Sequence, residues 1–524
     1  MTLSQPISTL SVHFYNQARH LYCWTEQHRV SSICSVFVAK CSMLMKSASQ
    51  SLSEQLSVRF ADRIRTRLLA PGAKLPSIRL CAEQQGVSPS TVVAAYDQLL
   101  ARGLVEAQKN RGFYVRSMSG AFEKSSLEGA NLTGSQANRG PKAKHGFEAG
   151  HVPVNATALI RGMFQGSSNK PQPGMGVFPP DWLETTFLPA AVRKVTSSRA
   201  LNAYSLQYGE PAGDSGLRQS LSNNLATINI QASPSQIITT VGATHALDIV
   251  SRTLLKAGDW VMVEEPGWAI EFARLAALGM RILPVPRGPD GPDLAVMARY
   301  CKLHSPKLFV SVSVFHNPTG FCLSPGVAHR LLQLANTCNF HIVEDDTYSH
   351  LAPEYATRLC ALDGLQRTIY VSGFAKILAP GWRVGYLASP TSLVERLLDT
   401  KLLTTLTTPA LLEKALAICI DQGQLRRHAE RIRTRLDAAR SRSVKLAQNA
   451  GCVFASPPAG LFGWVDAGVD TDALAQRMLD VGYLLAPGAL FHAQRQPSTL
   501  MRINFATTQE TQFWKAFAKC VAES

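Results

Sequence analysis

Gly373-Phe374-Ala375-Lys376-Ile377-Leu378-Ala379-Pro380-Gly381-Trp382-Arg383-Val384-Gly385 is the segment from which the architecture of this chain unfolds. It follows Thr368–Ser372, an apolar run of strand length. A lysine just past a strand end suits Schiff-base formation, and an arginine seven residues on suits a bidentate phosphate contact. Comparable runs stand at Gln236–Val241, Trp260–Glu264, Arg281–Val285, Leu308–Val314, Phe340–Glu344 and Val384–Ala388, with helical patterns between most of them. That alternation predicts a mostly parallel α/β sheet covered on both faces, with ligands gathered at the carboxyl ends of its strands.

Other candidates fall at those same strand ends. Val241-Gly242-Ala243-Thr244 opens a helix, where small residues leave free N–H groups for a phosphate. Trp268 follows the strand ending Glu264-Glu265-Pro266-Gly267, and its flat ring suits stacking on another. Asn317, in His316-Asn317-Pro318-Thr319-Gly320, can donate to a phenolate oxygen. Asp345 can pair with a protonated ring nitrogen, and Tyr348 stands three residues on. Taken singly, each has an ordinary structural reading: a small-residue turn, a core aromatic, a paired carboxylate. His245 and His316 sit nearby and read as structural.

The N-terminal third has a different pattern. Leu52, Leu56, Phe60, Ile64 and Leu68 recur at every fourth position and predict a helix over 52–69. Ser77 caps a second helix, Ile78–Gln85, which Gly86 ends. Ser88 caps a third, running from Pro89 to about Ala101, with Val92, Val93, Tyr96, Leu99 and Leu100 as its buried side. Leu104–Ala107 and Phe113–Val115 then form a hairpin whose tip carries Lys109 and Arg111. Three helices and a basic hairpin in this order predict a winged helix-turn-helix: the third helix enters the major groove by its N-terminus and the wing meets the backbone or minor groove.

Leu75-Pro76-Ser77-Ile78-Arg79, Gly86-Val87-Ser88, Thr91-Val92-Val93-Ala94-Ala95-Tyr96 and Arg111-Gly112-Phe113 resemble the GntR regulator pattern, covering residues 51–117. The resemblance implies that Arg79, Ser88, Ser90, Thr91, Arg111 and Gly112, with Lys109 of the wing, lie at double-stranded DNA. Pro89 departs from the family, which often has a basic or polar residue there.

Asn317-Pro318-Thr319-Gly320, Asp345-x-x-Tyr348, and Lys376 followed by Pro380-Gly381-x-Arg383-x-Gly385 together resemble fold-type I aminotransferases, over roughly residues 175–520. That resemblance implies pyridoxal 5′-phosphate (PLP) as cofactor, held covalently by Lys376. Asp345 would keep the pyridine nitrogen protonated. Asn317 and Tyr348 would face the ring hydroxyl, and Trp268 would stack on the ring. Arg383 and the amides near Ala243 and Thr244 would take the phosphate. Gly373 belongs to the same set, although it and Ala375 stand where many relatives carry Ser. Arg502, in Leu500-Met501-Arg502-Ile503-Asn504-Phe505, would clamp a substrate or effector carboxylate. Tyr208 would reach the phosphate held by a partner subunit.

A GntR-like head joined to such a body is the layout of MocR-type regulators. The expected fold is multi-domain: a winged helix-turn-helix (α+β) followed by an α/β fold-type I PLP-dependent aminotransferase-like domain. The expected domains are a poorly ordered extension at 1–50, the head at 51–117, a Ser-, Gly- and Lys-rich flexible linker at 118–156, and the body at 157–524, opening with a short helix at Ala158–Phe164. The layout implies a homodimeric regulator that senses an amino acid, an amine or PLP and alters operator binding. The competing reading is an active aminotransferase with an appended DNA-binding head.

Composition agrees with these partners. The chain of 524 residues has a formal net charge of +16, which suits a polyanion. Its 11 cysteines include no CxxC pair, and neither they nor His13, His20 and His28 show metal-ligand spacing, so no metal is expected. Reduced, scattered thiols suit the cytoplasm. No apolar run reaches the roughly 18 residues of a membrane span. Met43 and Met45 are candidate start residues.

Overall fold

The computed structural model describes residues 51–65, 69, 72–108, 111–116, 170 and 172–523. The extension 1–50 with its candidate starts, Lys109, the linker 118–156 and the expected helix at Ala158–Phe164 lie outside the described residues. The chain divides into two compact units, Met1–Val152 and Pro153–Ser524. Among the described residues no helix is long and apolar enough to cross a membrane.

In the head, α1 spans Leu52–Arg65, α2 Ile78–Gln85 and α3 Pro89–Ala101. The caps form as expected. Ser77 Oγ accepts the Leu80 N–H, Ser88 Oγ accepts that of Thr91, and Gly86 closes α2 in the left-handed conformation. Strands β1 (Val105–Gln108) and β2 (Gly112–Val115) pair antiparallel, Val105 opposite Val115. Residues 72–75 extend this ribbon, since the Gly72 and Leu75 amides donate to Val115 and Phe113. Tyr96 locks the head together. Its ring meets Phe60 of α1 at 5.6 Å and Phe113 of the wing at 5.0 Å, and its hydroxyl donates to the Pro76 carbonyl at 3.0 Å. The buried side of α3 is Val92, Ala95, Tyr96 and Leu99. Val93, expected among them, is 40% exposed. Each residue advances a helix by 100°, which carries Val93 past the edge of the stripe formed by Val92, Ala95, Tyr96 and Leu99.

The body is built on an eight-stranded sheet of order β3-β10-β9-β8-β7-β4-β5-β6. These strands are β3 (Ile237–Thr240), β4 (Trp260–Glu265), β5 (Arg281–Gly288), β6 (Gly291–Pro292), β7 (Leu308–Ser311), β8 (His341–Asp345), β9 (Thr368–Gly373) and β10 (Gly385–Ala388). The run β5-β4-β7-β8-β9 is parallel and its central strands are buried, as the continuous apolar runs predict. Strand β10 is antiparallel to both β9 and β3. The link from Gly373 to Gly385 is too short for a parallel crossover, so the chain turns straight back. Helix α4 (Ala243–Leu254) follows β3, and α5 (Ala269–Ala277) follows β4.

A second sheet was not expected. Strands β11 (Val453–Phe454), β12 (Phe462–Asp466), β13 (Ala486–Pro487) and β14 (Leu500–Asn504) form an antiparallel sheet of order β11-β12-β14-β13. It matters for the site because β14 carries Arg502, directly opposite Trp464 of β12.

The end of β8 is acidic: Glu344, Asp345 and Asp346 are consecutive and all buried. Strand alternation sends Glu344 and Asp346 to one face and Asp345 to the other. Glu344 accepts the Leu359 and Cys360 amides at 2.7 and 2.8 Å, and Ser313 Oγ also donates to it. Asp346 accepts from Arg358 at 2.6 Å and from the Tyr370 hydroxyl at 3.0 Å. The Arg358–Asp346 pair is almost sealed from water, with side chains 1% and 0% exposed. Removing one member of a buried pair strands the other charge. Arg358→Ala should therefore lower the body's unfolding free energy by about 3–5 kcal/mol, read as a fall in its urea midpoint.

Candidate cofactor cleft and DNA-binding face

Lys376 leaves the end of β9 and points into the cleft between the two sheets. Its Nζ donates to the Gly176 carbonyl at 2.6 Å and lies 5.7 Å from the Tyr348 ring centroid. A Cβ on Gly176 would stand 3.3 Å from that nitrogen and 3.3 Å from Phe462, so the close approach requires glycine. Burial lowers the ammonium pKa to about 8; Arg502 and Arg383 push the same way, against Asp345. The amine is thus partly neutral near physiological pH, the condition a nucleophilic lysine needs.

Asp345, Asn317 and Trp268 line one cleft together with Glu264, Glu271 and His316. Asp345 accepts from the Thr347 amide at 3.1 Å and from its hydroxyl. Burial raises its carboxyl to about 6, against the Thr347 hydrogen bonds, and Glu271 and Asp346 add to the rise. A cationic partner on the cleft side would reverse that pressure. Tyr348 is buried, its pKa raised by desolvation, and it hydrogen-bonds Asn317. His316 is held neutral by burial beside Arg287; its Nδ1 shares a 2.9 Å bond with Thr319 Oγ1. Both facts fit the structural role expected for it.

Arg502 is 4% exposed. It donates to Asn317 Oδ1 at 2.9 Å and to the Gly174 carbonyl at 2.6 Å, while its Nε, also buried, has no hydrogen-bond partner among the described residues. Its guanidinium lies 4.3 Å from the Phe462 ring centroid and 5.2 Å from that of Phe491. A buried cation with a spare donor suits an incoming carboxylate.

At the other end of the cleft, Arg383 crosses the start of α4. Its Nη2 donates to Val241 O at 3.3 Å, and a Cβ on Gly242 would fall 2.4 Å from it. Gly385 approaches the same turn, where a Cβ would meet the Gly242 carbonyl carbon at 2.4 Å. Gly373 is also adjacent, its Cβ position 3.5 Å from Ala243 N. The first-turn amides of Ala243 and Thr244 have no intrahelical acceptor, so an arginine and free N–H groups converge here. The residues present therefore fit PLP: a lysine for its carbonyl, an acid for its ring nitrogen, an indole for its face and a cationic nest for its phosphate.

Tyr208 does not line this cleft. It is 84% exposed and borders a second cavity with Tyr204, Asp214, Glu413 and Lys414. Gly176, Phe462 and Glu271 belong to the main site and were not expected from sequence. Gly176 lies in an irregular segment without periodicity, and Phe462 in a strand of the sheet that was missed.

On the head, Arg79, Ser88, Ser90, Arg111 and Gly112 are exposed and Thr91 is half-buried. Ser88 Oγ also hydrogen-bonds the hydroxyls of Ser90 and Thr91, each at 2.8 Å, so part of this hydroxyl cluster is engaged in capping. Lys74 adds an unforeseen exposed cation, 5.9 Å from the Tyr114 ring of the wing.

Residues 176–518 match the family model described as aminotransferase class I and II, and residues 52–115 match that of bacterial regulatory proteins, gntR family. The uncharacterized HTH-type transcriptional regulator YisV of Bacillus subtilis is 26% identical over 469 residues, 87% of this chain and 93% of its own length. The corresponding regulator YdcR of Escherichia coli is 27% identical over 491 residues, 90% and 99% of the two chains. The body superposes on a kynurenine aminotransferase of Pyrococcus horikoshii with a TM-score of 0.64 and 25% identity, covering 70% of this chain and 94% of that one.

The raised carboxyl of Asp345 gives a pH test. Burial favours its neutral form, so in protein stripped of cofactor this stability is full below about pH 4 and lost as pH rises through about 6. The stability of the wild type relative to Asp345→Asn should fall by up to about 3 kcal/mol between pH 4 and 7 and level off above. Thermal melts of both proteins across that range measure it; a flat difference would refute the raised carboxyl.

Proposed function

Because the chain belongs to the aminotransferase class I and II family and carries a GntR-type helix-turn-helix head, the MocR-type layout, we propose that its body senses an amino acid or amine and thereby alters operator binding by the head. The observation that carries this reading is Lys376: a buried amine held to about 8, with Asp345 and Arg502 close enough to shift it. PLP is the cofactor of this fold, and when bound it supplies an electron sink for an amine substrate. The chain's own residues do the rest. Lys376 presents an amine that exchanges its proton near neutral pH. Asp345 holds a negative charge against the ring nitrogen. Trp268 and the walls of the cleft exclude water, and Arg502 with Asn317 orients a carboxylate through the guanidinium's remaining donors. An effector engages these groups and favours one state of the body; it shifts DNA binding only by its differential affinity for the two states.

A homodimer belongs to this reading. Leu206 and Tyr208 are 78% and 84% exposed, and the loop that bears them packs on Thr407 and Thr408, next to Leu406, which is 51% exposed. An exposed apolar cluster of this kind supports a partner subunit there, with Tyr208 reaching the partner's phosphate group. Paired heads would then address paired half-sites. The same reading places the protein in the cytoplasm with its DNA.

The intact lysine, acid and arginine set favours one second reading, a working aminotransferase with a DNA-binding head. Turnover of an amino acid with a keto acid near one per second or faster would select it.

Two measurements test the main reading. Purified protein with PLP should show an absorbance band near the visible edge that amino acids shift and Lys376→Ala abolishes; absence of the band defeats the sensing role. Arg79→Ala and Arg111→Ala should each weaken duplex DNA binding and lower the slope of log affinity against log salt by about one.

A further inference from the structure

Helix α3 contains no lysine or arginine. Its sequence is PSTVVAAYDQLLA, and Asp97 is its one charged side chain. Yet residues 51–117 hold ten Lys and Arg against five Asp and Glu. The positive charge therefore lies around the helix: Arg79 on α2, Lys74 and Arg111 at the wing, and Arg116 beyond it, all exposed. With Val92, Ala95, Tyr96 and Leu99 buried, the outward face of α3 consists of Pro89, Ser90, Val93, Ala94 and Asp97.

In the major groove each base asks for different chemistry. Guanine is read by Arg or Lys, adenine by Asn or Gln, cytosine by an acceptor such as Asp, and thymine by apolar contact with its methyl group. Apart from the Ser90 hydroxyl, which does not discriminate between bases, the leading half of the α3 face carries no Arg, Lys, Asn or Gln to read guanine or adenine. Gln98 is half-buried on a different side, and Asp97 stands two turns behind the N-terminus that enters the groove first. Ser88 Oγ is already accepting the Thr91 amide. What the face does present is methyl groups, on Val93 at 40% exposure and on Ala94.

We infer that Val93 and Ala94 read thymine methyl groups, so that thymine positions specify the half-site while Arg79, Lys74 and Arg111 supply sequence-independent affinity. The inference rests on the reading that the head binds operator DNA. It gives a role to the apolar side chain on the exposed face of α3, and accounts for cations that lie off the helix entering the groove.

The test uses the full-length protein and a random-sequence duplex pool. Duplexes enriched by repeated binding are measured by fluorescence anisotropy at fixed salt, with each thymine replaced in turn by deoxyuridine, which removes only the methyl group. Loss of one buried methyl should weaken binding about fourfold. The effect should appear at one or two positions per half-site and be absent at thymines outside it. Selection repeated with Val93→Arg should replace one of those thymines by guanine; the position is exposed, so the core of the head is untouched. Enriched duplexes that bind equally well with every thymine replaced would overturn the inference and leave DNA binding standing. So would equal binding of all sequences. Failure of every duplex to bind would remove the operator-binding reading, and this inference with it.

Discussion

Three consecutive carboxyl groups buried at the end of one central strand set the terms for the whole body. Burying a charge is costly unless it is paired or neutralised. Glu344 meets its requirement with two backbone amides of a neighbouring short helix, and Asp346 with Arg358 and Tyr370. Those partners lie on one face of the sheet and bind the segment 358–363 to it. Asp345 faces the opposite way and, among the described residues, accepts hydrogen bonds only from Thr347. The same alternation that satisfies its neighbours leaves it needing a cation from the cleft. One strand terminus thus sends two carboxyl groups to one face of the sheet and the third to the other by parity.

The cations of the cleft show the complementary pattern. Lys376 and Arg383 come from the link between β9 and β10 and Arg502 from β14, and each lacks a full salt-bridge partner among the described residues. Their mutual repulsion contributes to the lowered pKa of Lys376. A ligand bearing a phosphate and a carboxylate, together with an aromatic nitrogen able to carry a proton, would relieve both imbalances at once: two cations gain anions and Asp345 gains a cation. Complementarity of this kind confers orientation as well as affinity, since each end of the cleft accepts one charge pattern only.

Much of this was legible in the sequence because it was written in local signals. Ser77, Ser88 and Gly86 delimit their helices through hydrogen bonds that span three or four residues, and the structure reproduces those boundaries. The central strands announce themselves as apolar runs, and the site motifs stand at their ends because parallel sheets expose loops there. Illegible features depend on distant partners. Strands β11 and β13 have two residues each, too few for any period. Gly176 is required by Lys376 and Phe462, which lie far along the chain. Val93 misled because adjacent valines look alike in sequence but point 100° apart on a helix. The distinct fates of Glu344, Asp345 and Asp346 appear only once the sheet has faces.

Arg502 joins Asn317, in the turn after β7, to Gly174 at the entry of the body, closing loops of 185 and 328 residues. It lies on the last strand of the chain. During synthesis at roughly 5–20 residues per second, the head is complete about 390 residues, or on the order of 20–80 s, before this arginine emerges. For that interval each nascent chain has a finished helix-turn-helix while its cleft still lacks a wall. The order of domains along the chain thus sets an order of synthesis, in which the helix-turn-helix is complete before the cleft has its last wall.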